Sequence, residues 1–206
     1  MAPKVYPNQE STTSSQSQSH NQYCLSSKRE TYTLWMKSLV LHSNGCTVYD
    51  SNGHIVYRVD NYDRKGKREV NLMDQQGNLL CTIKKRLLAL GCWEGHKYCS
   101  KSNTRSQEQQ PWFEVKKCLT LTGKIACEIK AGSKNLCIER ISIGKSIAFR
   151  IVNKLDGQII AEGKQKQSSS GVVLSNDVLT LDLAAGTDHS LIMALITVYG
   201  LICGKM

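Results

Sequence analysis

The feature that most constrains this 206-residue chain is the apolar run at residues 191–203, which reads LIMALITVYGLIC. As a helix, its thirteen residues would extend only about 20 Å, whereas a membrane-spanning helix needs about 20 residues to cross about 30 Å of hydrocarbon. A helix that is apolar on every face has to be buried. We therefore expect this helix to lie inside a curved or closed sheet.

Two residues mark where the helix begins. Thr187 and Asp188 precede the apolar run, and either side chain can accept hydrogen bonds from the unpaired N–H groups of a first helical turn. Asp188 also suits the positive end of the helix dipole. We predict a helix over about residues 188–203. A membrane tail anchor or a helix that forms a dimer is the alternative for so apolar a segment.

Upstream of the helix, apolar and polar residues alternate in short runs, which is the pattern of β-strands. The apolar faces of these runs are Ile55, Tyr57 and Val59; Leu79, Cys81 and Ile83; Phe113 and Val115; Ile125, Cys127 and Ile129; Phe149 and Ile151; and Leu179, Leu181 and Leu183. We predict a mainly β protein, in which about 12 antiparallel strands close into a barrel around the helix, because closure removes exposed strand edges.

Four glycines mark the hairpin turns between these strands, and each precedes a polar and then an aliphatic residue: Gly53, Gly77, Gly123 and Gly157. Asp50 and Asp74 stand three residues before the first two glycines. An aspartate there can close the turn while glycine adopts a positive φ angle. The spacing of the four turns is uneven, so we expect hairpins of one sheet rather than a solenoid.

The first thirty residues differ from the rest. Residues 11–22 read STTSSQSQSHNQ, and such a segment buries too little apolar surface to offset the entropy of ordering it. We predict a disordered polar leader at residues 1–30 and one barrel domain at residues 31–206. The leader has neither the apolar middle of a secretory signal nor a glycine for myristoylation.

The cysteine content indicates the redox compartment of the protein, and the net charge indicates the kind of partner it binds. The nine cysteines form no CxxC pair and no zinc-like spacing, so we expect free thiols in the reducing interior of a cell and no metal or cofactor. The net charge of +10 favours anionic partners, either nucleic-acid phosphates or lipid headgroups.

Several long stretches resemble the plant LURP-one-related family. They are residues 35–40 (WMKSLV), 45–50 (GCTVYD), 55–62 (IVYRVDNY), 166–173 (KQSSSGVV) and 188–195 (DHSLIMAL). Strings of this length are far more specific than a single short motif. The resemblance extends from about residue 32 to residue 203.

The resemblance implies a twelve-stranded barrel around a carboxyl-terminal helix, an arrangement shared with tubby domains and phospholipid scramblases. It also implies a membrane-tethered regulator, because tubby domains bind phosphoinositides through basic residues on the barrel surface, and some family members act in plant defence. On this basis we expect a monomer in the cytoplasm or nucleus that associates peripherally with the plasma membrane.

Two basic clusters are the candidate headgroup site. Lys84, Lys85 and Arg86 follow one predicted strand, and Lys116 and Lys117 follow another. Gathered on one surface, five basic residues could hold an anionic membrane reversibly. The alternative is a solvated barrel surface, since consecutive strand residues point to opposite faces and the clusters need not converge.

Other functions have weaker support in the sequence. The stretch at residues 64–68 (RKGKR) suits an exposed hairpin loop that could assist binding of lipid or nucleic acid. Nucleic-acid binding lacks an evident groove-reading helix or base-stacking strand aromatics. A protein interaction module and a small-ligand carrier remain alternatives.

Catalysis is not expected. Asp188, His189 and Ser190 have the residue types of a hydrolase triad, but three consecutive residues cannot align nucleophile, base and orienting group. Residues 91–96 (GCWEGH) lack a phosphate-loop pattern and suggest a turn beside a packed tryptophan. No carboxylate array like an EF-hand loop indicates calcium. We predict a non-enzymatic binding protein.

Overall fold

The computed structural model describes residues 27–37, 44–61, 68–87, 89, 91–98, 110–118, 125–143, 146–168, 170–175 and 177–204. Twelve strands are followed by one helix: β1 (Glu30–Trp35), β2 (Asn44–Tyr49), β3 (Ile55–Asn61), β4 (Glu69–Asp74), β5 (Leu79–Lys85), β6 (Cys92–Lys97), β7 (Phe113–Lys117), β8 (Ile125–Ala131), β9 (Lys134–Ile143), β10 (Ser146–Asn153), β11 (Ile159–Gln165), β12 (Val178–Leu183) and α1 (His189–Ile202). Most of the predicted leader, residues 1–26, lies outside the described residues, so its disorder stays a prediction.

The strands form a closed antiparallel barrel in which each strand pairs with its neighbours in the sequence. The barrel closes between β1 and β12, where Glu30 is opposite Leu183 and Trp35 is opposite Val178. Hairpin connections suffice for this order, and closure leaves no edge strand. The predicted fold class is confirmed.

The alternating residues face as the pattern predicts. Val59, Ile83, Val115 and Leu181 are at most 3% exposed, while polar neighbours on the same strands face outward. The interior is therefore lined by one apolar residue in every two, as expected for a half-buried strand.

Helix α1 lies inside the barrel. Every residue from Leu191 to Leu201 is buried. The helix touches different sides of the sheet, since the rings of His189 and Tyr32 on β1 are 5.7 Å apart, and those of Tyr199 and Phe149 on β10 are 5.1 Å apart. Asp188 is the N-cap, and its Oδ1 accepts a hydrogen bond from the Leu191 N–H at 3.1 Å. The predicted burial and helix start are confirmed.

The helix gives the barrel two distinguishable ends, which we call the amino end and the carboxyl end after the terminus of α1 beside each. β1 starts at the amino end, where Glu30 Oε2 lies 3.8 Å from Nδ1 of His189 in the first helical turn. Because neighbouring strands are antiparallel, odd-numbered strands run from the amino end to the carboxyl end.

The predicted aspartate turns form, and both lie at the amino end. Asp50 Oδ1 accepts hydrogen bonds at 2.8 Å from the N–H groups of both Asn52 and His54. The glycine in this turn, Gly53, has a φ of +83°, a conformation that side chains with a Cβ rarely adopt. Asp74 closes the β4–β5 turn in the same way. Gly123 lies outside the described residues.

Two cross-strand pairs fill the wall with a phenylalanine ring laid over a glycine. Gly95 on β6 is opposite Phe113 on β7, and Gly163 on β11 is opposite Phe149 on β10. A Cβ on Gly95 would stand 2.1 Å from the Phe113 ring, and one on Gly163 would stand 2.3 Å from the Phe149 ring. Both glycines therefore make room for an aromatic side chain of the core.

Candidate functional site

The two predicted basic clusters lie at the same end of the barrel. Lys84 and Lys85 end β5, and Lys116 and Lys117 end β7. Strand β6 separates β5 from β7, so the two clusters stand about 10 Å apart at a strand spacing of about 4.8 Å. We call the five residues Lys84, Lys85, Arg86, Lys116 and Lys117 the basic rim.

The register around β6 aligns the clusters. Arg86 donates its backbone N–H to the Cys92 carbonyl at 3.0 Å, and Lys116 is opposite Cys92 on the other side. Arg86, Cys92 and Lys116 therefore lie side by side across the carboxyl end. The clusters occupy one rim, although their side chains are divided between two faces.

Strand alternation sets that division. Lys84 is out of phase with the buried Ile83, so it points from the outer wall. Lys85 and Lys117 are in phase with the inward-facing Ile83 and Val115, and therefore stand at the mouth of the barrel. The rim can present positive charge both around the mouth and on the adjoining wall.

Two of the cations on the outer wall, Lys84 and Arg86, are paired with carboxylates. Lys84 Nζ lies 3.4 Å from Glu69 Oε2, and Arg86 Nε lies 3.0 Å from Glu94 Oε1. The side chains of Lys84 and Arg86 are 53% and 52% exposed. Exposed pairs of this kind contribute at most about 1 kcal/mol, so an incoming phosphate can compete for both cations.

The remaining rim lysines have no such partner. Among the residues that the structure describes, no carboxylate forms an ion pair with Lys85, Lys116 or Lys117. Lys85 Nζ stands 5.9 Å from the centre of the ring of Trp93, a weak cation–π contact. These lysines are the rim groups most available to an anion.

Backbone contacts hold the mouth lysines in place. The Lys117 N–H donates to the Gly91 carbonyl at 2.9 Å. Gly91 has a φ of +74°, and a Cβ there would stand 3.0 Å from the Cβ of Lys117. Only glycine fits this close approach without strain. Trp93 is 4% exposed, so the tryptophan is packed as predicted, but most of the segment predicted as a turn belongs to strand β6.

Two further basic residues lie at the carboxyl end and were not predicted as part of the site. The Arg68 carbonyl accepts the Lys85 N–H at 2.7 Å, because the start of β4 pairs with the end of β5. Arg68 is the described member of the basic stretch at residues 64–68, whose other residues lie outside the described ranges. The sequence did contain a signal for this contact: consecutive strands that form a hairpin bring the start of the first strand beside the end of the second.

Arg140, near the end of β9, reaches the helix. Its guanidinium lies near the Tyr199 hydroxyl. Burial and then the neighbouring Cys203 raise the pKa of Tyr199 to about 12, while the Arg140 charge acts in the opposite direction. Arg140 therefore places a positive charge beside the last turns of α1.

The amino end holds a small recess between α1 and the wall. Its volume is about 130 Å³, and its lining includes Lys134, Asn153, Gln158, Thr187 and Asp188. Pockets for small-molecule ligands usually measure about 300 to 1,000 Å³. This recess offers little support for the small-ligand carrier.

The contacts of Asp188 and His189, two of the residues with hydrolase-triad side chains, stabilise the start of α1. Asp188 caps the helix, and its Oδ2 lies 3.9 Å from Lys97 Nζ. His189 is 3% exposed, and its Nδ1 lies 3.1 Å from the Tyr32 hydroxyl, which also bonds to Glu30. Among the described residues, no hydrogen bond joins His189 to Asp188 or Ser190, as a catalytic triad would require.

The described cysteines are free thiols. Burial raises the pKa of Cys46, Cys81 and Cys127 to about 12, so these thiols stay protonated and act as small apolar groups. Within the described ranges, no three metal-ligating side chains come together. In the same ranges, no helix has both the length and the apolar character that crossing a bilayer requires.

Comparison with known proteins shows the family of this chain. A family model described as LURP-one-related matches residues 30–200. The chain is 45% identical to the Arabidopsis thaliana protein LURP-one-related 4, over 87% of this chain and 81% of that protein. It is 36% identical to LURP-one-related 11 from the same plant, over 97% of this chain and 88% of that protein.

A solved structure agrees on the fold. The X-ray structure of an Arabidopsis thaliana protein superposes on this chain with a TM-score of 0.55 at 13% identity. The superposition covers 85% of this chain and 91% of the Arabidopsis chain. The closed barrel, its central helix and the matches to sequence relatives lead to one conclusion. This chain belongs to the LURP-one-related family.

Proposed function

We propose that the protein is a non-enzymatic, monomeric module that docks reversibly on anionic membrane surfaces through phosphate contacts at the basic rim. The observation that carries the proposal is that both basic clusters lie at the carboxyl end, on strands β5 and β7, with only β6 between them. Lys85, Lys116 and Lys117, which have no ion-pair partner among the described residues, supply the most accessible charge.

The magnitude of the interaction suits a regulator that binds and leaves. Each lysine or arginine near an anionic surface contributes about 1 kcal/mol, so five such residues give an attachment of moderate strength. Lysine ammonium groups bind phosphate as point charges, and Arg86 can add paired hydrogen bonds. Such contacts form and break without large rearrangement of the barrel.

The resemblance to the LURP-one-related family implies a likeness to tubby domains and phospholipid scramblases, and this likeness supports the proposal, since tubby domains use basic barrel residues to bind phosphoinositides. Fold kinship alone does not fix a ligand. In this proposal the partner is the cytoplasmic leaflet of the plasma membrane in a plant cell, and the protein acts there as a regulator in defence.

Flotation with liposomes tests the proposal. The wild-type protein should float with vesicles that contain phosphoinositide and remain in the soluble fraction with neutral vesicles. A variant with Lys84→Glu, Lys85→Glu and Arg86→Glu should lose flotation at low salt. The proposal fails if the wild type does not float, or if the variant floats equally well.

Competition separates lipid recognition from general attraction to phosphate. A soluble inositol phosphate should displace the protein from vesicles if a headgroup occupies the rim. Duplex DNA at the same phosphate concentration should displace it less. Stronger displacement by DNA, with a steep dependence on salt, would instead favour nucleic acid and overturn the proposal.

A further inference from the structure

We infer that the carboxyl end also inserts apolar side chains into the bilayer, through Leu87 on one side of the barrel and through residues 172–174 on the other. This inference rests on the proposed function, which it extends from headgroup contact to partial penetration. It also fixes the orientation of the barrel, with its axis close to the membrane normal and the carboxyl end facing the lipid.

Leu87 directly follows the basic rim. It comes after Arg86 in the connection between β5 and β6, and its side chain is 75% exposed. A single exposed leucine is ordinary on a protein surface. Here, however, the leucine adjoins a cluster of cations, and an apolar side chain flanked by lysine and arginine is the pattern of surfaces that lie in the membrane interface.

The second apolar element is a short hairpin that extends β11 and β12 beyond the carboxyl end. The Ser168 N–H donates to the Val172 carbonyl at 2.8 Å, and the Leu174 N–H donates to the Lys166 carbonyl at 2.9 Å. Val172, Val173 and Leu174 are nevertheless 61%, 50% and 39% exposed. The hydrogen bonds hold three consecutive apolar residues at the surface, where an ordinary loop would carry polar ones.

The two elements lie on opposite sides of the same end. In the ring of twelve strands, β5 and β11 are six positions apart. A flat surface can touch both elements and the intervening basic rim only when it caps the carboxyl end. We assign this surface to an anionic bilayer rather than a protein. A bilayer presents hydrocarbon to the apolar side chains and phosphate headgroups to the cations, at two different depths.

The amino end offers a matched control. Leu155, in the turn between β10 and β11, is 77% exposed, almost the same as Leu87. Its neighbour Lys154 is paired with Glu128 at 2.8 Å, and Asp156 follows it. The two leucines therefore differ in the end of the barrel they occupy and in the charge beside them.

The test measures binding to vesicles of phosphatidylcholine, phosphatidylserine and phosphoinositide. Leu87→Gln should weaken binding about tenfold, which corresponds to the loss of roughly half to all of a leucine burial. Leu155→Gln should leave binding unchanged. The tenfold ratio of wild-type to Leu87→Gln affinity should persist as salt is raised, because salt does not screen the burial of a leucine. The effect of charge reversal at the rim should instead shrink as salt is raised.

Depth is measured with a fluorescent side chain. Leu87→Trp should show a blue-shifted emission on vesicles and quenching by brominated acyl chains beyond that of wild type, and Leu155→Trp should show neither. Variants with Val172→Gln and Val173→Gln should repeat the loss seen with Leu87→Gln.

The outcomes separate the two proposals. If the wild type does not bind the vesicles, both fail. If binding is intact but Leu87→Gln has no effect and Leu87→Trp is not quenched, only the insertion fails, and the rim binds headgroups without penetration. Quenching of Leu155→Trp instead of Leu87→Trp would overturn the assigned orientation.

Discussion

The two ends of the barrel use their polar side chains in different ways. At the amino end, the carboxylates of Asp50, Asp74 and Asp188 accept hydrogen bonds from the protein's own backbone. At the carboxyl end, the rim lysines project toward solvent, and Lys85 and Lys117 have no ion pair with the described residues. The amino-end carboxylates stabilise the fold itself, whereas the rim lysines at the carboxyl end are available to bind a partner.

The difference implies a division of labour. Replacement of these amino-end carboxylates, or of the polar side chains packed at the helix start, should lower stability, because it leaves backbone or buried polar groups without partners. Replacements at the rim should leave stability nearly unchanged, because exposed charges contribute little to folding. The predictions that follow test this contrast.

The largest expected effect on stability is at Tyr32, whose hydroxyl joins His189 of the helix to Glu30. Tyr32→Phe removes a buried hydrogen-bonding group and should lower the free energy of unfolding by about 2 kcal/mol. Tyr98→Phe makes the same chemical change at a residue that is 60% exposed and should have little effect. Urea unfolding of the three proteins checks this, and equal stability of both variants would contradict it.

The helix cap should matter less than the buried network. Asp188→Ala removes the oxygen that accepts the Leu191 N–H and should lower the free energy of unfolding by about 1 kcal/mol. Asp188→Asn keeps a good cap and loses only the charge, so it should retain most of the stability. If thermal unfolding shows that Asp188→Asn lowers stability as much as Asp188→Ala, the contribution of Asp188 comes from its ion pair with Lys97 and not from the cap.

The smallest effect concerns acid. The pKa of Asp50 is lowered, first by the hydrogen bond from the His54 backbone. A lowered pKa stabilises the fold above the ordinary value of 3.8, and this contribution is lost as pH falls below it. The stability advantage of wild type over Asp50→Asn should therefore shrink on acidification. Urea midpoints measured toward about pH 3 check this, and a constant difference would contradict it.

The contrast between the ends shows what the sequence could predict. Residue alternation and the apolar run were sufficient for the barrel and the buried helix, because both patterns repeat over many residues. The turn at Asp50 and the cap at Asp188 were also predictable, since each depends on contacts within four residues in the chain.

Features that depend on register were out of reach. The fit of Phe113 over Gly95, and the contact of Tyr32 with His189 across 157 positions, require knowing which residues lie opposite each other. The same holds for the rim. The sequence located Lys85 and Lys117 at strand ends, but their meeting at one mouth depends on how β5 and β7 pair with β6.

The central claim is that the location of charge, not the total charge, makes the carboxyl end a docking surface. Two charge-reversal pairs test it directly. One is Lys85→Glu with Lys117→Glu, at the mouth. The other is Lys130→Glu with Lys134→Glu, two exposed lysines near the amino end that have no ion-pair partner among the described residues.

Both pairs alter the net charge equally, and both should leave the unfolding temperature close to that of wild type. Affinity for vesicles containing phosphoinositide is the decisive measurement. The mouth pair should weaken binding at least roughly tenfold, while the pair near the amino end should weaken it only slightly. Equal losses for the two pairs would contradict the account, because the membrane would then respond to overall charge alone.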